Sequence, residues 1–319
     1  MLSQALDEEE GRAQPGMAGE KRREQPLARR SAWRLAGLLA WSILVPFLLF
    51  CLLFELLPVV ITIQGSLTNG GTGGLSLAGY QRLLAQASNL RAFQNSVALS
   101  LVTALIGGLL GAVAAYGLAS LRQGWLRNLL ISFCSIAANF AGVPLAFAFV
   151  ATLGVTGFVT VALRSWLHLD LYALGFSIYQ FWGLVLVYVY FQLPLMILVT
   201  LPAFTGLRPE WREAAINLGA SPAGYWWRVA LPILFPSLVA GTMLLFANSF
   251  GAFATAYALA QGNINLVPIL IDFLVNGNVT VDFGLGDALA VGMMGLLLAV
   301  VALYTTMLRR ASRWQGQGR

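Results

Sequence analysis

Side chains able to do chemistry are scarce in this sequence. Histidine occurs once, as His168, lysine once, as Lys21, and cysteine twice, as Cys51 and Cys134. One imidazole and two thiols cannot assemble a zinc or haem ligand set, and both thiols lie inside apolar runs, where they read as small hydrophobes. A Ser/His hydrolase would have to use the ring at 168, which reads as an interfacial polar residue. Lys21 is followed by Arg22, so the phosphate-cradling pattern ending in Gly-Lys-Ser/Thr does not occur and the chain binds no ATP through a P-loop. With no aspartate-rich metal-binding run and no nucleophile and base pair in its apolar segments, the chain is expected to be non-enzymatic, with neither metal nor cofactor of its own. The polar residues inside apolar runs are therefore the ones to explain. Asn139 near Pro144, Gln192 beside Pro194, and Asn248-Ser249 before Gly251 are costly in lipid and face a bundle interior or a cavity. Two readings stand: Asn139, Gln192, Asn248 and Ser249 line a translocation path, or they make hydrogen bonds between helices.

The elements that must hold these residues follow from composition. The chain has 319 residues, 58% of them hydrophobic and 10% charged, with a mean hydropathy of +0.76. Such a balance belongs to an integral membrane protein and excludes ordinary soluble folds. Apolar runs at 36–63, 97–119, 129–151, 181–204, 233–259 and 284–308 are each long enough to cross a hydrocarbon layer of about 30 Å as a helix. The fold class is thus all-α, a polytopic protein with six transmembrane helices. Residues 1–34 mix basic and acidic side chains with Pro, Gly and Gln and read as a disordered tail. Residues 35–310 form the membrane domain with a loop at 206–232, and 311–319 form a C-terminal tail. Six crossings put both termini on one side. Of the 19 basic residues, 16 fall in the tail, the turn after the second span, the loop after the fourth and the C-terminal end; only Arg82, Arg91 and Arg164 lie opposite. That bias places the termini and the loop in the cytoplasm, so the net charge of +6 reports orientation and no nucleic-acid partner is expected. On the other side Thr68–Gly74 reads as a flexible turn, while 158–167 and 264–275 read as short surface helices. Glu55 near the outer end of the first span reads as a snorkelling carboxylate. Asp272, Asp282 and Asp287 make an acidic outer rim, open to reading as a cation guide or as ordinary loop solvation. Tyr188 and Tyr190 could offer ring faces to a cation or simply pack.

The loop carries a mechanism. Pro209 suits the first position of a helix, and Glu210 and Glu213 complement its dipole. Gly219 falls where a helix closes in a left-handed residue, Ser221 caps and Pro222 starts a second helix running to about Leu231. Trp211, Ala215 and Leu218 share one face, and Ala214 with Ala215 leaves a low surface for close approach. On physics alone this is either a helix pair lying on the inner leaflet, held by Trp226, Trp227 and Arg228, or a docking element for a cytoplasmic partner.

Glu213-Ala214-Ala215, then Gly219, Val229 and Leu231-Pro232 resemble the "EAA" signature of type I (MetI-like) ABC importer permeases, E-A-A-x3-G-x9-I-x-L-P, with Val229 in place of Ile. Asn95-Ser96 and Tyr190-Phe191-Gln192-Leu193-Pro194 are also similar to that family, so the resemblance covers about 36–310. It looks closest to the polyamine and ferric-ion branch, in the position of the first of two paired permeases. The resemblance implies a permease subunit in a bacterial inner membrane that pairs with a second permease as a heterodimer. Two cytoplasmic ATPases holding ATP and magnesium would sit beneath, and a solute-binding protein would dock outside. It implies further that Glu213, Ala214, Ala215, Gly219, Val229, Leu231 and Pro232 couple the permease to the ATPase, which rocks the spans between inward-open and outward-open states. The solute it suggests is a polyamine, with ferric ion or another small solute as the alternative. An ion-coupled secondary carrier would share the six spans but leave the loop unexplained.

Overall fold

The computed structural model describes residues 44–68, 74–260, 262–277 and 282–316, with side chains to residue 307. The tail at 1–34 and most of the glycine-rich turn at 68–74 lie outside the described residues. Those described are helical, apart from connecting turns and an isolated bridge between Thr68 and Leu75. Six stretches are long and apolar enough to cross a membrane. Residues 1–61 and 62–319 form two compact units. Helix α1 (Leu44–Ser66) begins in the first, is apolar and unburied as far as residue 61, and ends in the second. It widens into a π turn at Leu52–Leu56, where Leu57 N–H donates to the Leu52 carbonyl directly before Pro58.

The second unit contains α2 (Ala78–Ala85), α3 (Ala87–Ser120), α4 (Trp125–Asn139), α5 (Val143–Leu153), α6 (Phe158–Trp166), α7 (Phe181–Thr205), α8 (Pro209–Asn217), α9 (Pro222–Phe250), α10 (Phe253–Ala260), α11 (Val267–Asn276) and α12 (Phe283–Gly316). Helix α3 starts ten residues before the apolar run because its polar first turns find partners. Asn89 donates to the Arg82 carbonyl at 3.3 Å, and Ser96 Oγ accepts from Val267 N–H at 2.9 Å. Its buried face is a stripe of small residues, Ala104, Gly107, Gly108, Gly111 and Ala115, against which α7 and α9 pack. A Cβ at Gly111 would lie 2.5 Å from Met196 Cβ and 2.9 Å from the Leu193 carbonyl oxygen. The stripe is what lets these backbones approach, the usual device where no water drives helices together.

The third crossing differs from the uninterrupted helix expected at 129–151. It is α4 followed by α5, broken at 140–142, where Gly142 takes φ +76°. By length and composition alone the crossing is Val143–Trp166, but that stretch turns at 154–157 between α5 and α6. The packing decides for 125–153. Cys134 of α4 packs with Ile197, Leu201 and Phe204, and Leu145 and Ala146 of α5 pack with Leu184, Val185 and Tyr188. The segment therefore runs antiparallel along the whole of α7.

The fifth crossing also departs from expectation, at both ends. Expected to start at 233 after a separate short helix, it instead runs unbroken from Pro222 because a π turn at Trp226–Ala230 lets Leu231 N–H reach the Trp226 carbonyl just ahead of Pro232. Proline removes a donor and crowds the preceding turn, and a wide turn there accommodates both. The expected continuation to 259 breaks at Gly251-Ala252, after which α10 begins. Helix α12 continues to Gly316, so residues 311–316 extend the last span as helix. The short helices expected at 158–167 and 264–275 are α6 and α11.

Candidate functional site

The loop between α7 and α9 is a miniature fold. Pro209 opens α8 at its first turn. Its end is a Schellman motif: Gly219 N–H donates to the Ile216 carbonyl at 2.8 Å and Ala220 N–H to the Ala215 carbonyl at 2.9 Å, with Gly219 at φ +80°. Ser221 Oγ then accepts from Gly224 N–H at 3.1 Å, capping α9. The interior of the knob is Ala215, Tyr225 and Ala230, flanked by Leu207, Ala220, Trp226 and Val229. Ring contacts tie it down: Trp226 meets Tyr116 of α3 edge-on at 5.0 Å, and the Arg208 guanidinium lies 5.9 Å over the Trp211 ring.

This placement divides the seven motif residues. Glu213, Ala214, Gly219 and Pro232 are exposed, whereas Ala215 is buried and Val229 and Leu231 are half-buried. The low surface expected from Ala214 with Ala215 is therefore Ala214 alone. The reason is that α8 turns Ala215 toward Tyr225, where a larger side chain would push α8 away from the start of α9. Of Trp211, Ala215 and Leu218, Ala215 is buried and Leu218 is 88% exposed.

The polar residues of the spans part company. Gln192 and Ser249 are buried and converge on Thr103 of α3. Thr103 donates to the Leu99 carbonyl at 2.8 Å, so its oxygen accepts from Gln192 Nε2 at 3.1 Å and from Ser249 Oγ at 3.0 Å. Of the two readings open for Gln192 and Ser249, this is hydrogen bonding between helices. Gln192 Oε1 is buried without a hydrogen-bond donor. Thr103 was not among the sequence candidates. The stripe Ser96, Ser100, Thr103, Gly107, Gly111, spaced by four, three, four and four, was the signal for it. Asn139 is exposed and donates to the Ser135 carbonyl, and Asn248 is exposed beside the break that follows α9. The tyrosines pack: Tyr188 donates to the Ala252 carbonyl at 2.8 Å and the Tyr190 ring meets Phe149 at 5.5 Å. Two of the three rim carboxylates are engaged, Asp282 by Arg82 and Asp272 by Asn276. Asp287 lies against the backbone of Gly65, where a Cβ would meet its carboxylate.

Comparison with known proteins adds the following. The family described as "Binding-protein-dependent transport system inner membrane component" matches residues 107–313. A sulfate transport system permease protein of Synechococcus elongatus is 25% identical over 248 residues, covering 77% of this chain and 85% of that protein. A spermidine/putrescine transport system permease protein of Haemophilus influenzae is 25% identical over 259 residues, covering 80% and 91%. A molybdenum transport system permease protein of Mycobacterium tuberculosis is 28% identical over 190 residues, covering 58% and 67%. A bacterial ABC transporter involved in the import of the acidic polysaccharide alginate shares the fold, with a TM-score of 0.65, 18% identity and coverage of 89% of this chain and 99% of that one.

Proposed function

The chain belongs to the family of binding-protein-dependent transport system inner membrane components, and from that premise we propose that it is driven by a separate cytoplasmic ATPase through residues 208–232. The observation that carries this reading is the knob itself, a capped and internally packed pair of helix ends that presents Glu213 and Ala214 on an exposed face. Helix α9 continues from the knob through 29 residues, about 43 Å at 1.5 Å per residue, without a break. A push on α8 is therefore delivered into the bundle as movement of a whole helix rather than lost in a hinge. The charge bias of the loops supports cytoplasmic termini and a cytoplasmic knob.

In this reading two ATPase subunits hold ATP and magnesium beneath the membrane, a second permease completes the path, and a solute-binding protein delivers solute from outside. For the solute, the polyamine expectation is supported by the spermidine/putrescine relative. The sulfate and molybdenum relatives support a small inorganic solute equally, and the Arg82 ion pair offsets the charge of Asp282 at the outer rim. Affinity purification of the detergent-solubilised chain, followed by mass spectrometry, tests the coupling. An ABC ATPase is expected to co-purify and to be lost with Glu213→Lys at equal membrane levels. Uptake that persists when ATP hydrolysis is blocked would point instead to an ion-coupled carrier.

A further inference from the structure

Two neighbouring crossings are interrupted side by side. The gap between α4 and α5 at 140–142 meets the gap between α9 and α10 at Gly251-Ala252. They are stitched together, with Gly142 N–H donating to Thr255 Oγ1 at 2.9 Å and the Thr255 hydroxyl 3.3 Å from the Gly142 carbonyl. Tyr188 of α7 holds the second gap through the Ala252 carbonyl. Between the gaps lies a cavity of about 400 Å3. Its walls are mostly alanine and glycine, among them Ala138, Gly142, Ala247 and Gly251, and Asn248 supplies its side-chain amide. None of the residues lining it is charged.

Non-helical backbone at membrane depth persists only where protein buries it or water reaches it. Here the amides of both gaps are already bonded, those of Phe140, Ala141, Gly251 and Ala252 to nearby carbonyls and that of Gly142 to Thr255, and Asn248 is exposed on the cavity wall while its neighbour Ser249 is turned inward and bonded to Thr103. A carboxamide in an apolar helix with an open chamber in front of it needs a hydrogen-bonding occupant. We propose that this chamber is a solute contact of the transport path, which takes a small hydrophilic solute through the Asn248 amide, and not through ion pairing. The proposal rests on the importer reading above, and it makes the contact indifferent to the sign of the solute's charge.

The test uses the whole transporter in membrane vesicles, with Cys51→Ala and Cys134→Ala as background. Asn248→Cys is treated with two water-soluble methanethiosulfonates of similar size, one bearing a sulfonate and one a trimethylammonium group. Ser249→Cys is the buried control. The expected result is that Asn248→Cys reacts with both reagents, each at a rate scaled to its rate with a free thiol, while Ser249→Cys stays unmodified. A charged wall would raise the rate of one reagent by at least about tenfold over the other, and that preference in either direction overturns the charge-free contact. Protection of Asn248→Cys from both reagents, or equal labelling of Ser249→Cys, overturns the aqueous chamber. Failure of an ATPase to co-purify with the unmodified chain would instead remove the importer reading, so the two failures are told apart.

Discussion

Replacing Thr103 by valine keeps the shape of the side chain and removes the oxygen on which three helices converge. In the wild type that oxygen accepts from Gln192 Nε2 and Ser249 Oγ and its proton satisfies the Leu99 carbonyl. Hydrogen bonds between helices in membranes average about 0.6 kcal/mol and reach about 1.7 kcal/mol, so the lost bonds account for about 1–2 kcal/mol. The larger cost is what they leave behind. Gln192 is fully buried and its Oε1 already lacks a donor, so Thr103→Val strands the whole carboxamide, and an unsatisfied buried polar group costs about 1–3 kcal/mol. The expected destabilisation is about 2–5 kcal/mol, measured by unfolding of the purified chain in mixed micelles followed by far-UV circular dichroism. Adding Gln192→Leu removes the stranded amide, and replacing both partners with apolar groups is close to neutral. The double variant should therefore be more stable than Thr103→Val alone. Additive losses in that cycle, or a Thr103→Val variant as stable as wild type, would refute the reasoning.

Three other outcomes follow from the same geometry. Gly219→Val should cost about 1–2 kcal/mol through its left-handed backbone, because nothing lies within 4 Å of an added Cβ; Gly219→Asn should retain ATPase co-purification where Gly219→Val loses it. Ser221→Ala removes the cap of α9 at a cost of about 1 kcal/mol and should speed proteolysis within the loop while leaving membrane insertion unchanged. Gly111→Leu should abolish the folded yield because Met196 Cβ and the Leu193 carbonyl occupy the space a side chain needs, whereas Gly117→Leu, with nothing within 4 Å, should be recovered at the wild-type level on size-exclusion chromatography.

What the sequence disclosed and what it hid have physical causes. The capped ends at Pro209, Gly219 and Ser221 were legible because those residues act on their own backbone, whatever surrounds them. The burial of Ala215 was hidden, since a methyl group says little about which way it faces; Tyr225, ten residues on, decides it. Hydropathy found the apolar runs but passed over both interruptions, at 140–142 and 251–252, because the residues there are as apolar as their neighbours. Gly142 with Pro144, and Gly251, were the local marks. The resemblance to importer permeases singled out Asn95-Ser96 without a reason for it. The structure supplies one: Asn95 donates to the Asn265 carbonyl, Asn265 donates back to that of Ser88, and Ser96 accepts from Val267, which fastens the start of α3 to the segment leading into α11.

The turn at Trp226–Ala230 accommodates one residue more than an ordinary helix would. A helix in that condition has a second setting close at hand: if the surplus residue migrates along the axis, every side chain between the old and the new position swings by about 100° and advances about 1.5 Å. Pro232, directly beyond, has no amide to give the turn before it and so sets where the surplus residue rests in this structure. The start of α9 thus has the form of a ratchet tooth, a turn that can step along the axis rather than stretch.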